Sequence, residues 1–274
     1  MLQTVIGVVR IVGDSKLGLI AAGVAFFAML AIFPGVAAVI ALWGYVYDPS
    51  VILGQTALLA DFLPPSAFAI LKGQVETLVA ANNSALGWAS IFSTLFALWS
   101  ARSGVAALMQ GLNTIHGTRD RGGFWHIVAA LVLTLVLIGV ALTALALVIV
   151  LPIVLAFFPL GGWAAQALVA GQWIMALAVV LLGIALVYRY GPNREGVRTP
   201  WLSPGLALAV VLWAVASLGF SYYIANFGSY NRIYGSIGAV IALLMWFYIS
   251  AYVILLGAAL NEEIEAERPH ARYQ

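Results

Sequence analysis

The chain has 274 residues, of which 64% are hydrophobic and only 8% are charged, and its formal net charge is +2. A soluble domain carries about 25% charged residues, so this chain cannot cover its surface for water and is predicted to lie in a bilayer. It has no cysteine, which excludes disulfides and thiolate metal sites, and so small a net charge gives no indication of a nucleic-acid partner.

Long apolar segments predict about six transmembrane helices, since about 20 apolar residues cross a hydrocarbon core of about 30 Å. The turn residues Pro159-Leu160-Gly161-Gly162 divide one charge-free run into two helices. The predicted class is all-α, a polytopic membrane protein in a single membrane domain over residues 1–274. The spans are Leu17–Tyr47, a segment from Leu86 to about Ala101 and beyond, two helices within Gly122–Tyr188, then Trp201–Ala225 and Tyr234–Leu260.

Two further segments are expected to lie on the membrane surface. Residues 48–85 are too polar to cross, and Phe68, Leu71 and Val75 recur at helical spacing, which predicts an amphipathic helix pair on the outer surface. Residues 1–16 form a shorter candidate for an interfacial helix. A cleaved signal peptide is the rival interpretation, but the first apolar run is too long for one, so a retained anchor is preferred.

The positions of lysine and arginine predict the orientation. An even number of spans places both termini on one side, together with most of the cations, and the positive-inside rule makes that side the cytoplasm. The tail over residues 261–274 is then cytoplasmic. The predicted inner set is Arg10, Lys16, Arg119, Arg121, Arg189, Arg194, Arg198, Arg268 and Arg272, and the outer set is Lys72 and Arg232.

Two arginines are candidate functional residues. Arg102 follows a long apolar run, and either snorkels to headgroups, which is the preferred interpretation, or faces a wet cavity within the bundle. Arg232 stands in a Tyr-rich stretch at predicted interface depth, where it is either an anchor or part of an outer gate or headgroup site. The full candidate set for substrate or headgroup binding is Arg102, Asn113, Tyr230, Asn231, Arg232 and Tyr234.

Other polar residues do not form a recognisable catalytic pattern. His116, His126 and His270 lack metal-site spacing, and the carboxylates fall in predicted loops or helix ends. No metal site, cofactor or catalytic residue is therefore predicted. Pro34 and Pro152 each remove a backbone donor and are predicted to kink their helices.

Several motifs in chain order resemble the YihY/BrkB family of bacterial inner-membrane proteins. They are AAGVAFFAMLAIFPGV in the first span, LWSARSGVAALMQGLN in the second, YGP and SPG before the fifth, and SYNRIYGSIGAV leading into the last. The family usually has Gly-Ala-Glu near the end of the last span, whereas this chain reads Gly257-Ala258-Ala259. A mechanism that relies on that carboxylate is not expected here.

What this resemblance implies about function is a choice among three classes. Members have been labelled a ribonuclease or a serum-resistance virulence factor, but the short predicted cytoplasmic loops and the absence of a basic RNA-binding surface speak against an enzyme. The expected function is a transporter or flippase-like carrier of a lipid or another amphipathic envelope molecule. A structural or scaffold protein is the alternative. Membrane lipids are the expected partners, nucleic acid is not, and homo-oligomerisation stays open.

Overall fold

A computed structural model of the chain describes residues 2–46, 73, 83–119, 121–150, 163–194, 198–225 and 231–270. At some positions in these ranges, including 37–46, 83–87 and 231–237, it describes the backbone alone. The described chain is helical and contains no strand, which confirms the predicted all-α class. The helices are α1 Leu2–Asp14, α2 Leu17–Val46, α3 Asn83–Ile115, α4 Gly123–Leu145, α5 Trp163–Tyr190, α6 Pro204–Ala225 and α7 Asn231–His270.

Six of these helices are long and apolar enough to cross a membrane, which confirms the predicted number of spans within the described residues. Helices α3 and α7 extend well beyond the predicted apolar cores, because polar residues continue the same helical turns. The outer pair predicted within residues 48–85 falls almost entirely outside the described residues. The apolar spans are Leu17–Val36, Ile91–Ile115, Gly123–Val148, Gln166–Tyr190, Pro204–Ile224 and Val240–Glu267.

The chain forms two compact units, built from separate stretches of sequence. Unit 1 comprises residues 1–22, 105–217 and 249–274, and unit 2 comprises residues 23–104 and 218–248. The unit boundaries fall inside α2, α3, α6 and α7, so each of these helices contributes a segment to both units.

Helix α1 confirms that the N-terminal segment is helical, and it packs within unit 1 against the polar end of α7. Val5 and Val9 are exposed, as expected for a helix whose apolar side meets the membrane interface. Thr4 donates a hydrogen bond of 3.0 Å to Glu267, and a Cβ at Gly7 would collide with the carboxylate of Glu263. The N-terminal helix is thus attached to the last helix through the polar extension of α7.

Two helix ends in unit 1 are fixed by local sequence. Helix α3 ends at Ile115, and Gly117 follows it with a positive φ of 58°, which suits glycine. The Thr118 N–H donates to the Asn113 carbonyl at 2.9 Å. Helix α6 begins with Pro204 at its first position, and the hydroxyl of Ser203 accepts a hydrogen bond of 3.2 Å from the Leu206 N–H. These ends position the polar residues that follow α3 and precede α6.

Helices α6 and α7 approach closely in unit 1 because both carry glycine at the contact. A Cβ at Gly205 would collide with the backbone oxygen of Gly257, and a Cβ at Gly257 with the Gly205 backbone oxygen and the Tyr188 hydroxyl. In a membrane, where lipid provides no hydrophobic drive between helices, such small-residue contacts allow backbones to pack directly. Tyr188 adds a hydrogen bond of 2.6 Å to the Ile254 carbonyl.

The two predicted kink positions have different outcomes. Pro34 lies inside the continuous helix α2, and Pro152 lies outside the described residues. A short π-helical segment, Ala146–Val150, precedes Pro152. Because proline has no N–H, Pro152 cannot supply the donor that the Val148 carbonyl would receive from it in an α-helix. The buried side chain of Gln172 on α5 donates to that carbonyl instead, at 3.3 Å.

Candidate functional site

Arg102 lies well inside α3, which continues for about 20 Å beyond it to Ile115. The residue is partly exposed, but its Nε atom is buried and has no hydrogen-bond partner. The hydrogen bonds and ion pairs of the described residues do not include Arg102. Among the predicted site residues whose side chains the structure describes, Arg102 is the cation, and it has no described partner.

The neighbours of Arg102 in unit 2 are mainly aromatic and small. Trp99 meets Phe27 of α2 edge-to-face at 6.3 Å between ring centroids, and a Cβ at Gly104 would lie 3.4 Å from the Phe27 Cβ. The Ser103 hydroxyl donates to the Trp99 carbonyl at 2.8 Å, so it is used within the helix. Ser100 is completely buried, and its hydroxyl has no hydrogen-bond partner in the described part of the chain. The arginine therefore lies beside a packed, largely apolar contact between α2 and α3.

The other predicted site residues are not brought together with Arg102 by the described structure. The side chains of Asn231, Arg232 and Tyr234 lie outside the described residues, although α7 begins at Asn231, and Tyr230 lies outside them altogether. The proposed outer gate stays a prediction.

Asn113, by contrast, is buried in unit 1 as an acceptor for the loop that follows α5. Its Oδ1 accepts a hydrogen bond of 2.7 Å from the Asn193 N–H and one of 3.2 Å from the Thr118 hydroxyl. The Asn193 side chain then donates to the Arg119 carbonyl at 3.0 Å. Asn113 thus links the end of α3 to the loop after α5, and its carbonyl oxygen is occupied by protein donors.

A charged cluster in unit 1 joins α3, the loop after α5 and α7. His116 is paired with Glu262, and Arg194 lies 3.8 Å from Glu262 and 2.7 Å from Glu265. The His116 side chain is only 4% exposed and that of Arg194 is 17% exposed. Polar groups this shielded from water are stable when they are paired and hydrogen-bonded, so this cluster attaches the polar extension of α7 to the end of α3.

Two further arginines of unit 1 are occupied by loop carbonyls. Arg121 donates to the carbonyls of Gly191, Tyr190 and Pro192 at 2.8, 3.1 and 2.9 Å. Burial lowers the pKa of the Arg121 guanidinium, which nevertheless stays charged at neutral pH. Arg189 donates to the Thr199 carbonyl at 3.1 Å, and its guanidinium lies 5.0 Å from the Trp201 ring centroid.

Sequence reasoning did not foresee the pairing of His116, Arg194 and Glu262. The residues are far apart in the chain, and each looked like an isolated loop or helix-end group. The available signal was the run Asn261-Glu262-Glu263 directly after an apolar helix, on the side predicted to be rich in arginine. Among the described residues, no group of three or more histidine, aspartate or glutamate side chains could hold a metal ion.

The position where the YihY/BrkB resemblance leads one to expect a glutamate is occupied by Ala259, which is completely buried in unit 1. Its neighbour Ala258 is also buried, at 1% exposure. The last helix therefore contributes an apolar surface at this level, and its carboxylates begin one turn later, at Glu262.

Comparison with known proteins gives one family match over almost the whole chain. Residues 8–274 match the family model described as Virulence factor BrkB. A similar protein, YfkH of Bacillus subtilis (strain 168), named as ribonuclease-like, is 28% identical over 255 residues, which cover 91% of this chain and 89% of that protein.

Shorter matches come from UPF0761 membrane proteins. One from Xanthomonas campestris pv. campestris (strain B100) is 39% identical over 105 residues, which cover 36% of this chain and 24% of the relative. One from Xanthomonas axonopodis pv. citri (strain 306) is also 39% identical over 105 residues, covering 36% of this chain and 25% of the relative. These matches span only about a quarter of the length of the Xanthomonas relatives. No solved structure is significantly similar to this chain.

Proposed function

This chain belongs to the BrkB family of integral membrane proteins, and we propose that it carries an anionic lipid or another anionic amphipathic envelope molecule across the membrane. The observation that supports this proposal is Arg102, a cation inside the second span whose Nε is buried and has no described hydrogen-bond partner. An ionisable residue within a span is costly, and its common uses are substrate paths and ion paths.

The chemistry of arginine favours an anionic substrate. A guanidinium stays charged when partly desolvated and binds a phosphate or carboxylate with two parallel hydrogen bonds. A passing phosphate would give the buried Nε of Arg102 the acceptor that no described residue supplies. In this proposal Arg102 binds the headgroup inside the membrane, and Arg232 with Tyr230, Asn231 and Tyr234 receives it on the outer side.

A scaffold protein without transport is the alternative function, and Arg102 is an argument against this alternative as well. A protein that only needs to pack its helices gains nothing from an unpaired cation at this depth, because an apolar side chain would avoid the desolvation cost. The snorkelling interpretation is also weaker than the sequence alone suggested, since α3 continues for about 20 Å past Arg102 on the side toward Ile115.

We infer that the ribonuclease-like name of YfkH does not extend to this chain. The described residues that come nearest to a phosphodiesterase site are His116, Glu262 and Arg194, which together could supply an acid, a base and a phosphate ligand. The His116 side chain is only 4% exposed and is already paired with Glu262, so an RNA backbone cannot reach it without opening the cluster. Purified protein is expected not to cleave tRNA, with or without divalent metal.

Lipid transport can be tested in vesicles reconstituted with purified protein. A fluorescent phosphatidylglycerol is distributed over both leaflets, and an impermeant reductant then bleaches the outer leaflet. Wild-type protein is expected to move fluorescent lipid from the inner leaflet to the outer one, so that the reductant bleaches this lipid as well. Arg102→Gln should slow this movement about tenfold or more, the effect of losing one charge-assisted hydrogen bond. Arg102→Lys should retain part of the rate, because it keeps the charge but loses the bidentate geometry.

The matched control is Arg10→Gln, which removes an exposed arginine from α1 and should leave the rate unchanged. If Arg102→Gln and Arg102→Lys both transport as the wild type does, Arg102 is a membrane anchor and the proposed path is wrong. If the wild type moves no anionic lipid from a bacterial extract, the scaffold alternative is favoured.

A further inference from the structure

A groove of about 480 Å³ runs along α4 and α5 on the surface of unit 1. Most of its lining is apolar, and a cation stands at one end. The volume is within the range of about 300–1,000 Å³ that is common for small-molecule sites. The lining residues that matter here are Arg121, Trp125, Val132, Leu133, Val136 and Tyr190.

The groove has the length of one bilayer leaflet. From Trp125 to Val136 the α4 axis rises about 17 Å, whereas half of the hydrocarbon core is about 15 Å. Trp125 and Val132 are 71% and 54% exposed, so the groove is open along the face of a membrane-spanning helix. A single lipid chain lying along this helix would meet apolar side chains throughout and end beside Arg121.

The headgroup end of the groove is positively charged. Three hydrogen bonds to loop carbonyls fix the Arg121 guanidinium, and its other N–H groups make no hydrogen bond to a described residue. Tyr190 lines the same end, and the Arg198 guanidinium lies 5.0 Å from its ring centroid. No carboxylate is present among the lining residues of the groove. The aromatic rings of Trp125 and Tyr190 suit headgroup depth.

We propose that this groove is a binding site for an anionic phospholipid, with one acyl chain along α4 and the phosphate held by Arg121. Charge complementarity selects the anionic headgroup, and the apolar length selects a diacyl lipid over free phosphate. The site belongs to the leaflet on the arginine-rich side. It is separate from Arg102 and does not depend on transport, since a lipid can stay bound here while another molecule moves.

Native mass spectrometry of the full-length protein in detergent tests this site. Phosphatidylglycerol and phosphatidylcholine with identical dioleoyl chains are added at equal concentration, and retained adducts are counted. The wild type should retain phosphatidylglycerol about tenfold better, because the choline cation of phosphatidylcholine would lie near Arg121 and Arg198, whereas phosphatidylglycerol carries no cation. Arg121→Gln should remove this preference. Free glycerol 3-phosphate in excess should not displace the bound lipid.

A second variant tests the groove independently, in case Arg121→Gln fails to fold. Val132→Trp fills the groove with a ring and should reduce adducts of both lipids, whereas Leu142→Trp, at a position 59% exposed on the same helix outside the groove, should not. Equal retention of both lipids by the wild type would overturn the proposal. So would unchanged adducts in Val132→Trp, or displacement by glycerol 3-phosphate. Dimers in place of lipid adducts would assign the groove to a second copy of the chain, and the proposal would again be wrong.

Discussion

The partly buried arginines of the two units differ in their hydrogen-bond partners. In unit 1, Arg121, Arg189 and Arg194 each donate to a carbonyl or a carboxylate of the same unit. The Nε atoms of Arg189 and Arg102 are both buried without a hydrogen-bond partner, but Arg102, in unit 2, has no described partner on any of its nitrogens. Paired and unpaired cations carry different information: paired ones are accounted for by the fold, whereas an unpaired one points to a ligand.

The difference extends to helix packing. In unit 1, a Cβ at Gly205 or Gly257 would meet the backbone of the neighbouring helix. In unit 2, a Cβ at Gly104 would lie 3.4 Å from the Phe27 Cβ, an ordinary contact, and a Cβ at Gly23 or Gly35 would meet nothing within 4 Å. Close backbone contacts between helices therefore accompany the polar contacts of unit 1, and we regard this unit as rigid. In the proposed function, the Arg102 region is the part that meets a substrate.

The largest expected effect is in cysteine labelling, where each position either reacts with an impermeant reagent from outside the cell or does not. The result assigns each region to one side of the membrane. The chain has no native cysteine, so a single introduced one reports its own position. Cysteine at Ser66 or Asn231 should react with an impermeant reagent from outside intact cells. Cysteine at Leu202, which is 84% exposed beside the arginine-rich loops, should react only after lysis, and tags on both termini should report cytoplasm. Cytoplasmic labelling at both Ser66 and Asn231 would refute the six-span orientation.

The next effect is the packing difference between glycines of the two units. Gly205→Ala should destabilise the protein by about 1–3 kcal/mol, because the new methyl group meets the Gly257 backbone. Gly23→Ala should be neutral or slightly stabilising, since alanine favours a helix more than glycine does. Thermal unfolding in detergent, followed by fluorescence-detected size exclusion, measures both. Equal melting temperatures for the two variants would mean that α6 and α7 do not pack this closely.

The fold was predictable because it depends on local properties of the chain. Apolar runs and the distribution of arginine were enough for six helices, and the start of α6 at Ser203-Pro204 is a local signal as well. The helix extensions beyond the apolar cores were underestimated. Asn113, for example, is a polar residue after an apolar run, yet it continues α3, and its Oδ1 accepts hydrogen bonds from the Asn193 N–H and the Thr118 hydroxyl.

The polar site was less predictable, because its contacts join residues distant in sequence. Three whole spans and most of the last one separate His116 from Glu262 in the sequence, and no periodicity connects the two residues. Arg102 was recognised from sequence because a cation in an apolar run is conspicuous in one dimension. Its lack of a partner could not be predicted, because it depends on which side chains surround it in three dimensions.

A smaller effect compares a paired polar residue with the unpaired cation directly. Asn113→Leu leaves the Asn193 N–H without its acceptor and should destabilise the protein by about 1–3 kcal/mol. Arg102→Leu removes a charge that no described residue pairs, so the melting temperature should stay the same or rise. The same detergent unfolding assay applies. A large loss of stability in Arg102→Leu would mean that the arginine is structural, and the argument for a substrate path would fail.

The smallest effect concerns one buried hydroxyl in unit 1. Tyr188 is 3% exposed and donates to the Ile254 carbonyl at 2.6 Å, so Tyr188→Phe should lower the free energy of unfolding by about 1 kcal/mol, the usual net value of one hydrogen bond. Tyr190→Phe is the matched control, because the Tyr190 hydroxyl makes no described hydrogen bond and the residue is 40% exposed. Neither change removes a ring, so packing is preserved in both. If the two variants unfold at the same temperature, the hydroxyl contact between α5 and α7 does not stabilise unit 1, and the rigidity assigned to this unit depends on its glycine contacts and charged cluster alone.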